Sequence, residues 1–117
     1  MIGAAQALSL AQKAVKLEPY NGYYCNTLGV VYYRLGRYQE AVDTLEGNSK
    51  LYPELTAFDG YFLAMSYHGL GNPASALGWF ERSNAWAKQQ PRLSDAELAE
   101  LAAFRSEAAA LLGISSK

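Results

Sequence analysis

The side chains that could carry catalysis are few in this chain. His68 is the only histidine, so a cluster of histidines around a metal ion is excluded, and an acid–base pair would need other groups. Cys25 is the only cysteine, and no histidine or basic residue adjoins it in the sequence to activate its thiol. We interpret Cys25 as a small hydrophobic residue that packs, and His68 as a half-exposed polar residue late in a helix rather than a catalytic group.

The remaining candidates for chemistry are pairs of carboxylates. Asp43 with Glu46, and Glu97 with Glu100, are spaced to lie on one face of a helix, where such pairs usually form solvated surfaces and caps. The glycines lie at predicted helix ends or singly inside helices, so no segment resembles a phosphate-binding loop. No nucleophile stands with a base and an orienting group. The sequence therefore predicts a protein that is not an enzyme and that holds neither a cofactor nor a metal ion.

Composition narrows the classes of partner and compartment. A length of 117 residues predicts one domain, and a hydrophobic fraction of 50% is enough for a core. The net charge of −1 and a pI near 5.8 argue against binding to nucleic acid or to an anionic membrane. One cysteine excludes an internal disulfide and fits a reducing compartment. No apolar run approaches a membrane span, and no basic residue precedes the apolar N-terminal stretch, as a signal peptide requires. We expect a cytoplasmic protein.

The element that positions all other residues is a repeat with a period of 34 to 35 residues. Residues of the same type recur at this spacing in two pairs of segments. Ala7 and Pro19 correspond to Ala41 and Pro53, and Leu28, Tyr32, Gly36 and Ala41 correspond to Leu63, Tyr67, Gly71 and Ala76. Apolar residues at spacings of 3 to 4 predict helices on both sides of each glycine. A period of this length is typical of stacked helix–turn–helix units.

The helix signals predict one domain over residues 1–113, with a frayed tail over 114–117. Asn21, Asn72 with Pro73, and Ser94 with Glu97 are start signals, whereas Gly36 and Gly113 are natural stops. The predicted segments are a half repeat (2–18), a repeat (22–53, with helices at 22–35 and 38–51), a second repeat (55–89, with helices at 55–70 and 73–89) and a capping helix (94–112).

The repeated unit resembles the tetratricopeptide repeat (TPR). The matching residues of the first unit are Leu28-Gly29, Tyr32, Gly36, Tyr38, Ala41 and Pro53, and those of the second are Leu63-Ala64, Tyr67, Gly71, Ala76, Phe80 and Ser83. Departures from the family pattern are Cys25, Leu45, Asn48, Gly60 and Pro73. The resemblance implies an all-α fold of six antiparallel helices in a short right-handed superhelix. The last helix would cap it, with Leu101 and Phe104 against the helix that carries Trp79 and Phe80.

A narrower resemblance concerns the C-terminal half of the chain. The segments YFLAMSYHGLGNPASALGWFERS and FRSEAAALLG resemble the C-terminal TPR tails of large multidomain bacterial proteins of the planctomycete type. This resemblance implies a bacterial source and a longer parent protein. It identifies no partner.

The TPR resemblance also implies a binding surface, because the first helix of each unit lines the concave side of the superhelix. The predicted groove residues are Tyr23, Asn26, Val30, Tyr33, Arg34, Phe58, Tyr61, Met65 and His68. Tyrosine gives contact area at a low entropic cost, and Arg34 could bind a carboxylate. We therefore expect a scaffold or interaction module that binds a peptide or helix of a protein partner, or of its own parent chain. The alternative for several of these aromatic residues is that they only fill space between repeats.

The N-terminal segment leaves a second function open. Residues 2–18 resemble the second helix of a repeat whose first helix is missing, and an unpaired helix cannot bury its apolar face alone. One interpretation is a structural self-association or capping tail of a larger multidomain protein, with Leu8, Ala11 and Val15 against a second copy. The other is an amphipathic helix that leaves its polar residues in solvent.

Overall fold

A computed structural model of the chain describes residues 3–90 and 92–114. Six α-helices and one 3-10 turn follow one another along these residues, and none of them lies in a strand. The helices are α1 (Ala4–Leu17), α2 (Gly22–Arg34), α3 (Tyr38–Leu51), α4 (Thr56–Gly69), α5 (Pro73–Lys88) and α6 (Asp95–Leu112), and the 3-10 turn is Pro53–Leu55. The predicted all-α class is confirmed.

The two helical hairpins, α2–α3 and α4–α5, turn in the same way. Gly36 and Gly71 follow the first helix of each hairpin, and both have φ of 76°. This left-handed conformation strains other residues and suits glycine. Beyond each glycine the backbone N–H of the next residue donates to a carbonyl in the last turn: Arg37 to Tyr32 and Asn72 to Tyr67, both at 2.9 Å. These bonds satisfy helix-end carbonyls and give the two turns one geometry.

Side-chain caps mark the starts of three helices, α2, α5 and α6. Asn21 Oδ1 accepts hydrogen bonds from the N–H groups of Tyr23 and Tyr24 at 3.0 and 3.2 Å. Asn72 caps α5 in the same way, and Ser94 forms a reciprocal capping box with Glu97 at the start of α6. Each cap satisfies N–H groups that the helix itself leaves without partners.

Helix α4 is the centre of the fold. Every residue from Thr56 to Ser66 is buried, and α4 packs against α2, α3, α5 and α6. Small residues also let neighbouring helices approach closely. Within the first hairpin, Gly29 of α2 leaves room for the Leu45 side chain of α3. A helix that is covered on all sides is apolar around its whole circumference, as the segment FLAM at 62–65 illustrates.

Helix α6 lies mainly on α4 and less on α5. The Phe104 ring, predicted to pack on α5, instead packs edge-on against Phe62 of α4, with ring centroids 4.8 Å apart. Its neighbour Arg105 contacts α5, with its guanidinium 5.6 Å from the Phe80 ring centroid. Two alanines of α6, at 108 and 109, are completely buried. The helix therefore covers the side of α4 that carries Phe62.

The chain end beyond α6 differs from the prediction of a frayed tail. Gly113 ends α6 in the left-handed conformation. Ile114 is half-buried against the core, and its N–H donates to the Ala109 carbonyl at 2.8 Å. The prediction is therefore wrong at Ile114, while residues 115–117 and residue 2 of the predicted first segment lie outside the described residues.

Candidate protein-interaction surface

The α4 half of the predicted groove is closed. Phe58, Tyr61 and Met65 are 9%, 1% and 0% exposed. The prediction that these three side chains line an open groove is wrong, because α5 and α6 pack on them. Tyr61 donates its hydroxyl hydrogen to Asn84 Oδ1 at 2.6 Å. The Phe58 ring lies 6.3 Å from the Trp86 ring, and Met65 belongs to the apolar core that α6 completes. His68, by contrast, is exposed at the end of α4.

The α2 half of the groove remains partly accessible. Tyr33 is half-buried, with its ring centroid 5.8 Å from those of Tyr38 and Phe62. Burial, and secondarily the Glu107 carboxylate, raise the pKa of Tyr33. Val30 is half-buried against the core, and Tyr23 stays largely exposed near the start of α2.

Arg34 joins α2 to α6. Its guanidinium forms two hydrogen bonds with the Glu107 carboxylate, and the second, from Nη2 to Oε1, is 2.9 Å long. The same guanidinium lies 5.4 Å from the Phe62 ring centroid and 5.5 Å from that of Tyr33. The fork geometry predicted for a partner's carboxylate is thus used within the chain. About half of the Arg34 side chain is still exposed.

Asn26 is directed into the interior rather than toward a ligand. Its Nδ2 donates to the Phe58 carbonyl at 3.2 Å and to Asp59 Oδ1 at 2.8 Å. The Asp59 carboxylate is completely buried and also accepts from Asn48 Nδ2, at 3.1 and 3.2 Å. Burial raises the pKa of Asp59 to about 6, although the two amide donors act in the opposite direction. Sequence reasoning missed this cluster; its signal was an acidic residue inside an apolar run.

The predicted self-association face of α1 is used inside the chain. Ala11 is buried, and Leu8 and Val15 are half-buried, with α2 as the helix against which α1 packs. Gln12 Nε2 also donates to the Tyr32 hydroxyl at 3.3 Å. Ala11 is therefore not available to a second copy, because α2 supplies the apolar partner that seemed to be missing. The opposite side of α1 exposes Leu10 and Leu17.

A depression that the sequence did not reveal lies where the α1–α2 loop meets the end of α3. Its volume is about 670 Å³, and it is lined by residues 17–23, Tyr52, Glu54 and Leu55. We call it the tyrosine depression. The Tyr52 hydroxyl donates to the Tyr20 carbonyl and so holds the loop against α3. Tyr52 also packs directly on Gly22, where an added Cβ would lie 2.8 Å from the ring.

The described residues offer no site for metal chemistry or an activated thiol. No group of three or more metal-ligating side chains occurs among them. Burial, with a smaller contribution from Asp59, raises the pKa of the Cys25 thiol, which disfavours the reactive thiolate. Across the same part of the chain, none of the helices combines the length and apolarity needed to cross a membrane.

Two segments match family models described as tetratricopeptide repeat, one at residues 23–46 and the other at 60–82. The first segment covers most of α2 and α3, and the second covers most of α4 and the first part of α5. Neither the curated proteins nor the solved structures contain a match to the chain. The two hairpins and their equal turns thus form an all-α, TPR-like helical repeat, as the sequence predicted. Repeats of this family generally mediate protein–protein interaction.

Proposed function

We propose that this chain is a non-catalytic protein-interaction module that binds a peptide or helix of a partner protein on the concave side formed by α2, α4 and α6. The observation that carries the proposal is that α6 itself docks on α2 and α4 at this side. The surface already accepts a helix through an aromatic contact, buried alanines and a paired arginine. A partner helix of similar composition would find the same kinds of contact beside α6.

The accessible part of this side is the edge of α2 together with the end of α4. Tyr33 and Arg34 lie on α2, and His68 lies on α4. Aromatic and arginine side chains carry much of the binding energy at protein interfaces because they bury large areas with few rotatable bonds or bind in a fixed fork. With few charged groups on this edge, we expect moderate affinity and weak dependence on salt.

The test starts from a partner isolated with the intact chain and measures its dissociation constant by calorimetry. The variant Tyr33→Ala with His68→Ala should weaken binding about tenfold, which corresponds to about 1.4 kcal/mol. The matched control is Leu51→Ala with Leu77→Ala, two exposed leucines on α3 and α5, helices that do not form the concave side. Circular dichroism at the assay temperature establishes that both variants are folded. Equal affinities for the two variants would refute the location of the binding surface.

A second candidate function is self-association through the outer side of α1. The exposure of Leu10 and Leu17, two turns apart on one helix, favours it. The Leu10→Lys with Leu17→Lys variant should then be monomeric at concentrations where the unmodified chain forms dimers. Light scattering measures both. A monomeric unmodified chain at millimolar concentration would exclude this function.

A further inference from the structure

We propose that the tyrosine depression is a second binding site, separate from the concave side, and that its ligand is an arginine side chain presented by a peptide of a partner protein. The first observation is the exposure of large apolar side chains around one cavity. Leu17, Tyr20 and Tyr23 are 82%, 84% and 68% exposed, and all three line the depression. Large apolar side chains that stand together on a surface mark an interaction site.

One wall of the depression, at Tyr52, Asn21 and Gly22, is held in place by contacts within the chain, which favours binding. Tyr52 is anchored by its hydrogen bond to the Tyr20 carbonyl and by its contact with Gly22. Asn21, between Tyr20 and Gly22 in the sequence, is held by the hydrogen bond that its side chain accepts at the start of α2. Leu55 is buried at the base. A site that needs little ordering before it binds loses less affinity to conformational entropy, and a volume of about 670 Å³ lies within the range of ligand pockets.

The charge of the lining selects a cation. Glu18 and Glu54 are the charged members of the lining, and none of the lining residues is basic. Helix dipoles do not change the negative charge of the lining into a positive one. The C-terminal ends of α1 and α3 meet the N-terminal ends of α2 and α4 at this edge, so their partial charges of about half a unit largely cancel. Two of the N–H groups at the start of α2 that could bind an anion, those of Tyr23 and Tyr24, already donate to Asn21.

Arginine fits this lining better than lysine. A guanidinium stacks on tyrosine faces and donates to a carboxylate in a planar fork, whereas an ammonium acts as a compact, strongly hydrated charge. The depression combines three tyrosines, at 20, 23 and 52, with two carboxylates, at 18 and 54. The chain itself uses the same chemistry elsewhere, where Arg34 lies between two aromatic rings and a carboxylate.

The site is tested by nuclear magnetic resonance titration of the full chain with three synthetic peptides. Each has a glycine–serine background and carries two arginines, two lysines or two glutamates. The arginine peptide should shift the amide signals of the non-proline residues in 17–23 and 52–55, with a dissociation constant on the order of 0.1–1 mM. The lysine peptide should bind at least threefold more weakly, and the glutamate peptide should cause no shifts there.

Variants separate this site from nonspecific attraction. Glu18→Gln with Glu54→Gln should weaken binding of the arginine peptide at least tenfold, and Tyr20→Ala at least threefold. Glu81→Gln with Glu100→Gln removes the same charge from exposed positions on α5 and α6 and should leave the affinity within twofold. An equal loss in both double variants, shifts spread over the whole surface, or equal binding of the lysine peptide would overturn the proposal. Because the peptides are supplied directly, the outcome does not depend on the concave surface.

Discussion

Replacing Asp59 by asparagine tests how the buried polar cluster controls stability. The substitution keeps an oxygen that accepts from Asn26 and Asn48, and it removes the negative charge from a completely buried position. The amide nitrogen of the variant replaces Oδ2, which accepts from Asn48 Nδ2 at 3.1 Å, so two N–H donors would face each other. Asn48 can relieve this by turning toward it its Oδ1, which has no hydrogen-bond partner among the described residues. We therefore expect the Asp59→Asn variant to fold and to lack the pH dependence of stability that Asp59 gives the unmodified chain.

The magnitude follows from the pKa of Asp59. Its value rises from 3.8 to about 6 on folding, so the folded state binds the proton more tightly than the unfolded state does. The resulting stabilisation is complete below pH 3.8 and is lost as the pH rises through 6. At about 1.4 kcal/mol per pKa unit, the full effect is about 3 kcal/mol. About 2 kcal/mol of it falls between pH 4.5 and pH 8.

The assay is urea unfolding followed by circular dichroism at several pH values in this interval. The free energy of unfolding of the unmodified chain should fall by about 2 kcal/mol from pH 4.5 to pH 8 relative to that of the Asp59→Asn variant. Asp43→Asn serves as the control, because Asp43 is exposed on α3 and should leave the pH profile unchanged. Parallel profiles for the unmodified chain and Asp59→Asn would refute the reasoning.

Two further predictions concern the packing of α2 against α3 and the ion pair that joins α6 to α2. Gly29→Ala should lower the free energy of unfolding by about 1–3 kcal/mol, because the new methyl group would lie 2.4 Å from Leu45; Gly47→Ala, at a position with open space, should raise it by about 1 kcal/mol. Thermal and urea unfolding measure the stability of both variants. Equal changes in the free energy of unfolding would contradict the close packing of Gly29 against Leu45. Arg34→Ala should lower the free energy of unfolding by only about 0.2–1 kcal/mol, because the ion pair with Glu107 is half-exposed. The same substitution should speed amide hydrogen exchange in α6 more than in α3. Unchanged exchange in α6 would show that the ion pair does not hold this helix in place.

Local signals predicted the helices well because their causes are local. A glycine that must adopt positive φ, as at positions 36 and 71, and a capping asparagine, as at positions 21 and 72, act within one turn of the chain. The position of α6 depends instead on contacts between residues far apart in sequence, such as Phe62 with Phe104. Periodicity indicated which side of α6 is apolar, but not which neighbouring helix it covers.

The wrong assignment of α4 residues to an open groove has the same cause, because burial there depends on contacts between residues far apart in sequence. Tyr61 and Met65 were assigned to the open side because one stripe of a TPR first helix usually faces the cavity. In α4 the apolar residues surround the helix, and such a pattern indicates burial on every side. Tyr23 was assigned to the groove, whereas the exposed Tyr20 was missed because no repeat landmark marks the loop that carries it.

The burial of α4 on all sides has a consequence for how the chain unfolds. In a long array of repeats each unit touches only its neighbours, so parts of the array can melt separately. Here α4 contacts both α2 and α6, and Arg34 of the first hairpin binds Glu107 of the last helix. Loss of the first hairpin or of α6 would therefore expose the central helix α4. We therefore expect a single cooperative transition, with the slowest-exchanging amides in the middle of α4.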